Sequence, residues 1–470
     1  GVPFEQLGGA RHLGGALRHW LAQLQRHQAG QLVRARPHQC RRAMQDGGAF
    51  TWRCPGPARK SPARGIDGPG DVGIRRHRQA GQFGAGARDG AGCAAVHKSG
   101  ARMGIGGAGA NAYLGGNFGS EEADMPQVSL GLDTFGDVSL GADGKLKPMD
   151  QVLRDVVEQA VLADALGIDF IGLGEHHRDD FAISAPEIVL AAIAGRTQRI
   201  RLGTAVTVLS TDDPVRVFQR FSTLNAVSNG RAEAILGRGS FTESYGLFGH
   251  DTRDYDALFE ERLEIFARLL REEKVSWKGK TRAPLKEARV YPRLGQPLTT
   301  WVGVGGSPES VIRVVRHDLQ LMLAIIGGDP LRFQPFVDLY HRAVAQMEQT
   351  ARPIGVHSPG FVARTDEEAR EALWPHYQAM FGRIGRERGW PPVTKDRFIG
   401  EVAHGALFVG SPETVARKIA RTVKGLGLAR FDLKYATGPQ PHGELMEGIR
   451  LYGEQVIPMV RDMVAEQEAA

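Results

Sequence analysis

From residue 128 onward, apolar residues recur in short runs, and longer segments with helical spacing separate these runs. Eight runs are typical of buried strands and cover residues 128–134, 169–174, 200–209, 231–239, 299–306, 319–328, 354–364 and 429–438. Helical spacing recurs between them, for example over residues 254–271, 308–316, 331–349 and 411–424. This alternation predicts an α/β fold, a TIM (β/α)8 barrel with insertions, whose chemistry lies on loops that follow the strands. A doubly wound open sheet is the alternative.

Local signals predict helix starts and insertions within this alternation. Asp150 and Ser184 each precede a helical segment, and both residue types commonly cap helix N-termini. Glu187 follows Ser184 by three residues, which is the spacing of a capping box. Residues 272–298 and 366–400 do not fit the alternation, so we expect them to be insertions, the first a hairpin and the second helical.

The first quarter of the chain differs from the rest in composition. Residues 1–124 contain 17 Lys and Arg against 8 Asp and Glu, together with all three cysteines, and they are rich in Arg, Gly and Ala without sustained periodicity. With little apolar surface to bury, such a segment is expected to be a disordered extension. The same composition fits a mis-assigned upstream start, with Met125 as the true one. The predicted division is therefore an extension over 1–124 and a barrel over 125–470.

Two functional interpretations of this extension have little support. The stretch GIGGAG at residues 104–109 matches the dinucleotide-binding pattern, but no strand pattern precedes it and no helix pattern follows it. An Arg-rich arm that binds nucleic acid needs basic residues on a folded face, or interleaved aromatic residues. We find neither in the pattern, so we predict no nucleic-acid partner.

Residues 125–470 have the composition of an ordinary globular protein. They contain 42 Lys and Arg against 45 Asp and Glu, and no cysteine, which suits a reducing cytoplasm. No apolar stretch of the chain approaches the about 18 to 20 residues that a membrane helix needs. We therefore expect a cytoplasmic protein that does not associate with a membrane.

Candidate chemistry follows the second predicted strand, in the stretch FIGLGEHHRDDF. Along an extended chain Glu175 and His177 face one side and His176 the other, so the three make a poor metal cage and no metal site is predicted. Imidazole titrates near neutral pH, so His176 is a candidate for proton transfer, with a carboxylate nearby. The alternative is that these residues only solvate the strand end and make loop hydrogen bonds.

A candidate phosphate site lies in the stretch GVGGSPES, residues 303–310. Gly305 and Gly306 admit a ligand close to the backbone, and Ser307 and Ser310 lie at the start of a predicted helix whose free amides favour a phosphate. A nearly identical signature, VGSPET, occurs at residues 409–414. Helix capping explains both without a ligand, so the pattern alone does not choose between them.

Five stretches of the chain are distinctive in this order: GLGEHH, GTAVTVL, RAEAILGRGS, WVGVGGSPESV and LFVGSPETVARKI. Together they make the chain resemble the bacterial luciferase-like family of flavin-dependent monooxygenases. The resemblance runs from about Val128 to Met463. It implies a TIM barrel that acts on a small organic molecule with oxygen and reduced FMN, the latter delivered by a separate NAD(P)H-dependent flavin reductase. Homo-oligomers are common in this family, and some relatives use the deazaflavin F420 for hydride transfer instead.

The resemblance also implies roles for particular residues. It identifies His176 as the catalytic base, and it makes residues 303–310 the phosphate site, with Arg238 as the cationic partner. It further implies a cis peptide between Ala205 and Val206, in a wall of small residues beneath the isoalloxazine ring. Bacterial luciferase has a reactive cysteine where this chain has Gly237, so light emission from an aldehyde is not implied.

Three functions therefore remain open for the barrel: an FMN-dependent monooxygenase, an F420-dependent hydride-transferring oxidoreductase, and a flavin-binding barrel without turnover. Four aromatic residues near the predicted site, Phe135, Phe241, Tyr245 and Trp301, are expected to pack in the core.

Overall fold

The computed structural model describes residues 127–293 and 295–466. The predictions made for residues 1–124, the proposed start at Met125 and the stretch at 104–109 lie outside these described residues. None of the helices in the described part of the chain is both long enough and apolar enough to cross a membrane.

Eight parallel strands form a closed barrel. In chain order they are Ser129–Thr134, Phe170–Leu173, Arg201–Thr204, Ala232–Gly237, Thr299–Val304, Gln320–Ala324, Ile354–Val362 and Arg430–Lys434. The last strand pairs with the first, with Leu433 opposite Leu132, so the eight strands close into a ring. Each strand overlaps one of the eight apolar runs. The predicted TIM barrel is confirmed, and the open-sheet alternative is wrong.

Helices follow the strands around the outside of the barrel. They span Met149–Ala165, Pro186–Ala194, Pro214–Val227, Glu243–Leu247, Tyr255–Arg271, Pro308–Arg316, Gln334–Gln346, Pro412–Leu426, His442–Leu451 and Ile457–Ala465. Short turns of 3-10 helix cover Thr252–Asp254 and Pro330–Phe333, and a π-helical turn covers Tyr452–Val456.

Both predicted caps of the first two helices are wrong. The first helix already begins at Met149, and Asp150 in its first turn accepts a hydrogen bond from Arg154 instead of capping. The second helix has Ala185 at its N-cap position without a side-chain cap. Glu187 is buried there and binds Arg220, so a tertiary ion pair takes the carboxylate that the capping box would have used.

Two insertions interrupt the alternation, as predicted. Val275–Trp277 and Leu285–Ala288 form an antiparallel hairpin. The second insertion consists of helices Asp366–Arg388 and Lys395–His404, and the short strand Phe408–Gly410 then extends the sheet beside the seventh barrel strand. These two helices have their own small core, which includes the fully buried Leu373 and Phe398.

The barrel interior combines an apolar layer with buried charges. Phe170, Ile235, Trp301 and Met322 pack together there. The Arg430 guanidinium stacks 3.5 Å from the Phe170 ring centroid and pairs with two buried carboxylates, those of Glu233 and Asp432. A buried charge is costly unless it is paired, and Arg201 supplies the second cation by pairing with Glu233.

Candidate active site

A cavity opens at the C-terminal ends of the first four barrel strands. The loop after each of these strands contributes to its lining, for example through Phe135, His176, Val206 and Phe241. In a TIM barrel this end carries the chemistry, so the cavity has the expected location of an active site.

Glu175 and His177 form a hydrogen-bonded pair, with 2.9 Å between Oε1 and Nε2. The other oxygen of Glu175 accepts a hydrogen bond from the backbone N–H of Val208 at 2.8 Å. Glu175 is therefore buried and fully engaged in joining the loops after the second and third strands. The predicted alternation of faces is confirmed, since His176 points away from this pair into an aromatic cluster.

His176 lies among three phenylalanine rings. Its ring centroid is 4.4 Å from that of Phe135, 4.7 Å from Phe181 and 5.1 Å from Phe241. Burial, helped by the positive charge of Lys434, lowers the pKa of His176 to about 3. No described residue hydrogen-bonds to the imidazole, so a neutral ring without a hydrogen-bond partner in the described part of the chain faces the cavity.

The peptide between Ala205 and Val206 is cis, which confirms what the family resemblance implies. Val206 packs against two glycines of neighbouring strands. A Cβ added to Gly237 would lie 2.4 Å from a Val206 methyl group, and one added to Gly303 would lie 3.1 Å from the other. A cysteine at position 237 would therefore displace Val206.

Ser307, Ser310 and Arg238 come together at the N-terminus of helix Pro308–Arg316. The Ser307 hydroxyl accepts a hydrogen bond from the backbone N–H of Ser310 at 3.2 Å, and the two hydroxyls are 2.9 Å apart. Arg238 donates to the Ser310 hydroxyl at 3.3 Å, and Arg313 does so at 3.2 Å. Two hydroxyls, two guanidinium groups and a helix N-terminus are the donor set that a phosphate group needs.

The backbone beside this cluster leaves room for a ligand. A Cβ added to Gly305 would meet no atom within 4 Å, and Gly306 has a φ of +104°, which a side chain would strain. Arg238 is followed directly by Gly239, which lines the cavity. The hydroxyl cluster and the cavity are therefore joined by one short segment of chain.

At the second stretch with this pattern, residues 409–414, a side chain already occupies the helix N-terminus. Ser411 caps helix Pro412–Leu426 in the same way as Ser307 caps its helix. The Asp366 carboxylate accepts hydrogen bonds there from the Ser411 backbone N–H at 2.7 Å and from the Thr414 hydroxyl at 3.0 Å. An internal carboxylate thus satisfies this helix N-terminus, and it would repel a phosphate.

The loop that follows the histidines is fastened to the inserted helix Asp366–Arg388. Arg178 has only 6% of its side chain exposed and pairs with Asp180, Glu243 and Glu387. On the outer side of the cavity Arg388 donates to the Ser240 carbonyl at 2.9 Å. We call the contacts of Arg178 and Arg388 with these partners the clasp.

Two of the four aromatic candidates are site residues, contrary to the expectation that all would pack in the core. Phe135 and Phe241 line the cavity. Tyr245 and Trp301 are buried as expected, where the Tyr245 hydroxyl donates to the Arg238 carbonyl and the Trp301 indole donates to Glu233.

The sequence pattern did not lead us to predict functional polar residues inside the later barrel strands. His357 on the seventh strand binds Asp133 on the first, and Lys434 on the eighth binds Asp137. A signal was present, because Arg430, Asp432 and Lys434 alternate with apolar residues in one buried strand. Side chains that alternate in this way all face one side of the sheet, so charged residues at this period indicate a polar barrel interior.

Asp155, Glu158 and His442 lie close enough together to share a metal ion, although no metal site was predicted. Lys147 already pairs with Asp155 at 2.6 Å, and the Gln159 amide lies 3.0 Å from Nδ1 of His442. The protein itself balances the charge of this cluster, which is not part of the cavity lining.

Comparison with known proteins agrees with this geometry. A family model described as luciferase-like monooxygenase matches residues 133–430, more than half of the chain. The F420-dependent glucose-6-phosphate dehydrogenase of Amycolatopsis mediterranei is 29% identical over 162 residues, which are 33% of this chain and 48% of that protein. In three curated relatives the aligned stretch covers 37%, 39% and 48% of the relative, so the chain spans less than half of each.

Two solved structures share the fold. Monooxygenase RslO1 from Streptomyces bottropensis superposes with a TM-score of 0.61 at 24% identity, covering 70% of this chain and 99% of that one. The oxygenating constituent of 3,6-diketocamphane monooxygenase from Pseudomonas putida, in complex with FMN, gives a TM-score of 0.59 at 19% identity, covering 71% and 98%. At these identities the likeness concerns the fold alone.

Proposed function

This chain belongs to the luciferase-like monooxygenase family, and we propose that it is a flavin-dependent monooxygenase that uses reduced FMN and oxygen on a small organic substrate. The observation that carries the proposal is the continuity between two parts of the barrel end. Arg238 binds Ser310 in the hydroxyl cluster, and its neighbour Gly239 lines the cavity that contains His176. One ligand with a phosphate end and a flat reactive end would use both.

The residues present fit FMN. The phosphate would be held by Ser307, Ser310 and Arg238, with the helix N-terminus and the open backbone at Gly305 and Gly306. A terminal phosphate monoester accepts from many donors at once, which suits this crowded donor set. When bound, reduced FMN would supply the electrons that activate oxygen, and a separate NAD(P)H-dependent flavin reductase would supply reduced FMN.

The side chains around the cavity have distinct parts in this proposal. We assign His176 to proton transfer with the substrate or the cofactor, and burial keeps its ring neutral in the free chain. Phe135 and Phe241 offer apolar surface to the body of the substrate and exclude water from it. Glu175 and His177 bind each other and the Val208 backbone, so we assign them the positioning of the loop that carries His176.

An F420-dependent oxidoreductase is the second candidate, because the relatives include an F420-dependent dehydrogenase. A flavin-binding barrel without turnover is the third.

The binding experiment uses the full chain and titrates FMN and F420 separately by fluorescence. We expect FMN to bind and Arg238→Met to weaken FMN binding by about tenfold or more, since it removes a charge-assisted contact. Arg253→Met is the matched control, because Arg253 is 88% exposed and binds only Asp251 among the described residues.

The kinetic experiment reduces the FMN complex without oxygen, mixes it rapidly with oxygenated buffer and records flavin absorbance. We expect reoxidation in at least two phases, with the slower phase altered by His176→Asn. Reoxidation in one phase at the rate of free FMN would support a barrel without turnover. Binding of F420 but not FMN would contradict the monooxygenase proposal in favour of the hydride-transferring alternative.

A further inference from the structure

His357 occupies the barrel interior, near the end where the cavity opens. On the same strand, a Cβ added to Gly355 would touch Met322 and Trp301 of the interior layer. Because side chains two residues apart face the same way, His357 also points inward, one layer nearer to the active-site end. Its side chain keeps 14% exposure.

His357 binds a carboxylate that pairs with no other cation in the described part of the chain. Nδ1 of the ring lies 2.6 Å from Oδ2 of Asp133, and the second oxygen of Asp133 is buried without a hydrogen-bond partner among the described residues. Asp133 is completely buried. A carboxylate buried in this way needs a positive partner, and His357 is the group in position to provide it.

The other interior carboxylates have permanent cations of their own. Lys434 lies 3.1 Å from Asp137 and Arg430 lies 2.9 Å from Asp432. Glu233 pairs with Arg201 as well as with Arg430, the latter at 2.5 Å. Pairing these groups leaves Asp133 to His357. The charges of the interior then balance when His357 is protonated, which leaves its Nε2–H free to donate toward the barrel mouth.

Phe135 separates this imidazole from the first one. The Phe135 ring is nearly parallel to His357, with centroids 6.3 Å apart and an angle of 16°, and its centroid is 4.4 Å from that of His176. Phe135 itself lines the cavity. The two imidazoles therefore flank one aromatic ring at the same end of the barrel.

We propose that His357, held by Asp133, is a second substrate-contacting imidazole, which donates a hydrogen bond from Nε2 to an uncharged acceptor oxygen such as that of a ketone or aldehyde. An uncharged acceptor follows from the balanced interior, where an additional negative charge would lack a cation. This role rests on the proposed function, because a substrate contact presupposes turnover in the cavity. Asp133 acts through His357 and is a positioning residue.

The charged surroundings of His357 agree with this assignment. Burial lowers the pKa of His357, but Asp133, with Asp432 behind it, outweighs burial and raises the pKa above the ordinary value. Lys434 on the neighbouring strand opposes the protonated form. His176 and Asp137 lie further away, behind Phe135 and Lys434 respectively.

The first test is an NMR titration of the full chain with ¹⁵N-labelled histidine and no flavin. We expect both ring nitrogens of His357 to be protonated at about pH 7, and His176 to be neutral. His357→Gln assigns the signal. A neutral His357 at about pH 7 would overturn the proposal.

The second test measures the affinity of the same flavin-free chain for acetophenone and for ethylbenzene, which share a skeleton and differ in the carbonyl oxygen. We expect His357→Gln to weaken acetophenone binding about tenfold and to leave ethylbenzene within about twofold, because only the ketone loses a charge-assisted donor. Wild-type affinity for acetophenone should also fall as the pH rises through the pKa of His357. His404→Gln, at an exposed position, is the matched control.

Equal losses for both probes, no loss for either, or no acetophenone binding by the wild type would each overturn the proposal. None of these measurements involves FMN. A chain that fails to bind FMN therefore removes the proposed function without changing the result for His357, and the reverse also holds.

Discussion

His176 and His357 are chemically identical side chains that the fold places in opposite environments. Three phenylalanine rings surround His176 and favour its neutral form, whereas a buried carboxylate contacts His357 and favours its protonated form. One ring therefore offers a neutral nitrogen that can accept a hydrogen bond, and the other an N–H that can donate one. The sequence marks His176 by its acidic and basic neighbours, but it shows His357 only as one polar residue in an apolar run.

The depressed pKa of His176 predicts a pH dependence of folding stability. The folded-state pKa of about 3 lies below the ordinary 6.5, so the unfolded chain binds an additional proton between these values. This stabilisation is fully present above about pH 6.5 and is lost as the pH falls toward 3. We expect His176→Asn to reduce the pH slope of the unfolding free energy by up to about 1.4 kcal/mol per pH unit in that window.

Urea unfolding at a series of pH values measures this slope. His404→Asn, at an exposed position, should leave it unchanged. An equal slope in wild type and His176→Asn would show that the His176 ring is not held neutral by its surroundings.

Two helices of the barrel begin with almost the same sequence, and the elements packed against them decide what each N-terminus does. Asp366, from the inserted helix, accepts hydrogen bonds at the start of Pro412–Leu426. Arg238, from the loop after the fourth strand, reaches the start of Pro308–Arg316. Asp366 brings an acceptor to the first N-terminus, whereas Arg238, itself paired with Asp256, brings a donor to the second, so the second is the better match for a phosphate.

Paired substitutions at these two helices test this difference. We expect Ser310→Ala to weaken FMN binding by about tenfold, because it removes the hydroxyl that Arg238 and Arg313 contact. Thr414→Ala is the equivalent change at the other helix, and it should lower thermal stability without changing FMN affinity. A similar loss of affinity in both variants, measured by fluorescence titration, would place the phosphate elsewhere.

At the scale of the whole molecule, the clasp joins the inserted helices to the end of the barrel where the cavity opens. Arg178 is nearly buried among three carboxylates, and its guanidinium lies 4.9 Å from the Phe241 centroid, while Arg388 lies 4.8 Å from the same ring. A ring that lines the cavity is thus held between cations from two segments that are far apart in sequence.

Weakening the clasp should loosen the insertion but not the barrel. Glu387 contacts both guanidinium NH groups of Arg178, at 2.8 and 2.9 Å. We expect Glu387→Gln to speed hydrogen exchange in residues 376–390 by about tenfold, since a bidentate charged contact becomes a neutral one, with no change in the eight strands. Glu413→Gln, which disrupts an exposed pair with Arg417, is the control. Uniform acceleration across the whole chain would show global destabilisation instead.

The alternation of apolar runs and helical segments by itself determined the barrel, because each run buries one strand and eight such units close into a ring. The same local patterns determined the Ser307 cap and the opposite faces of Glu175 and His176. The local pattern wrongly predicted a capping box at Ser184, because Glu187 pairs instead with Arg220 from another helix.

Only the tertiary structure decided which charged groups meet local features that look alike in the sequence. It brought Asp366 to one of two similar helix starts, and it brought Asp133 to His357 across 224 residues of chain. The pattern of a single strand or helix specifies which face is buried. It does not specify which charge meets that face, because the partner comes from a distant segment that only the closed barrel places beside it.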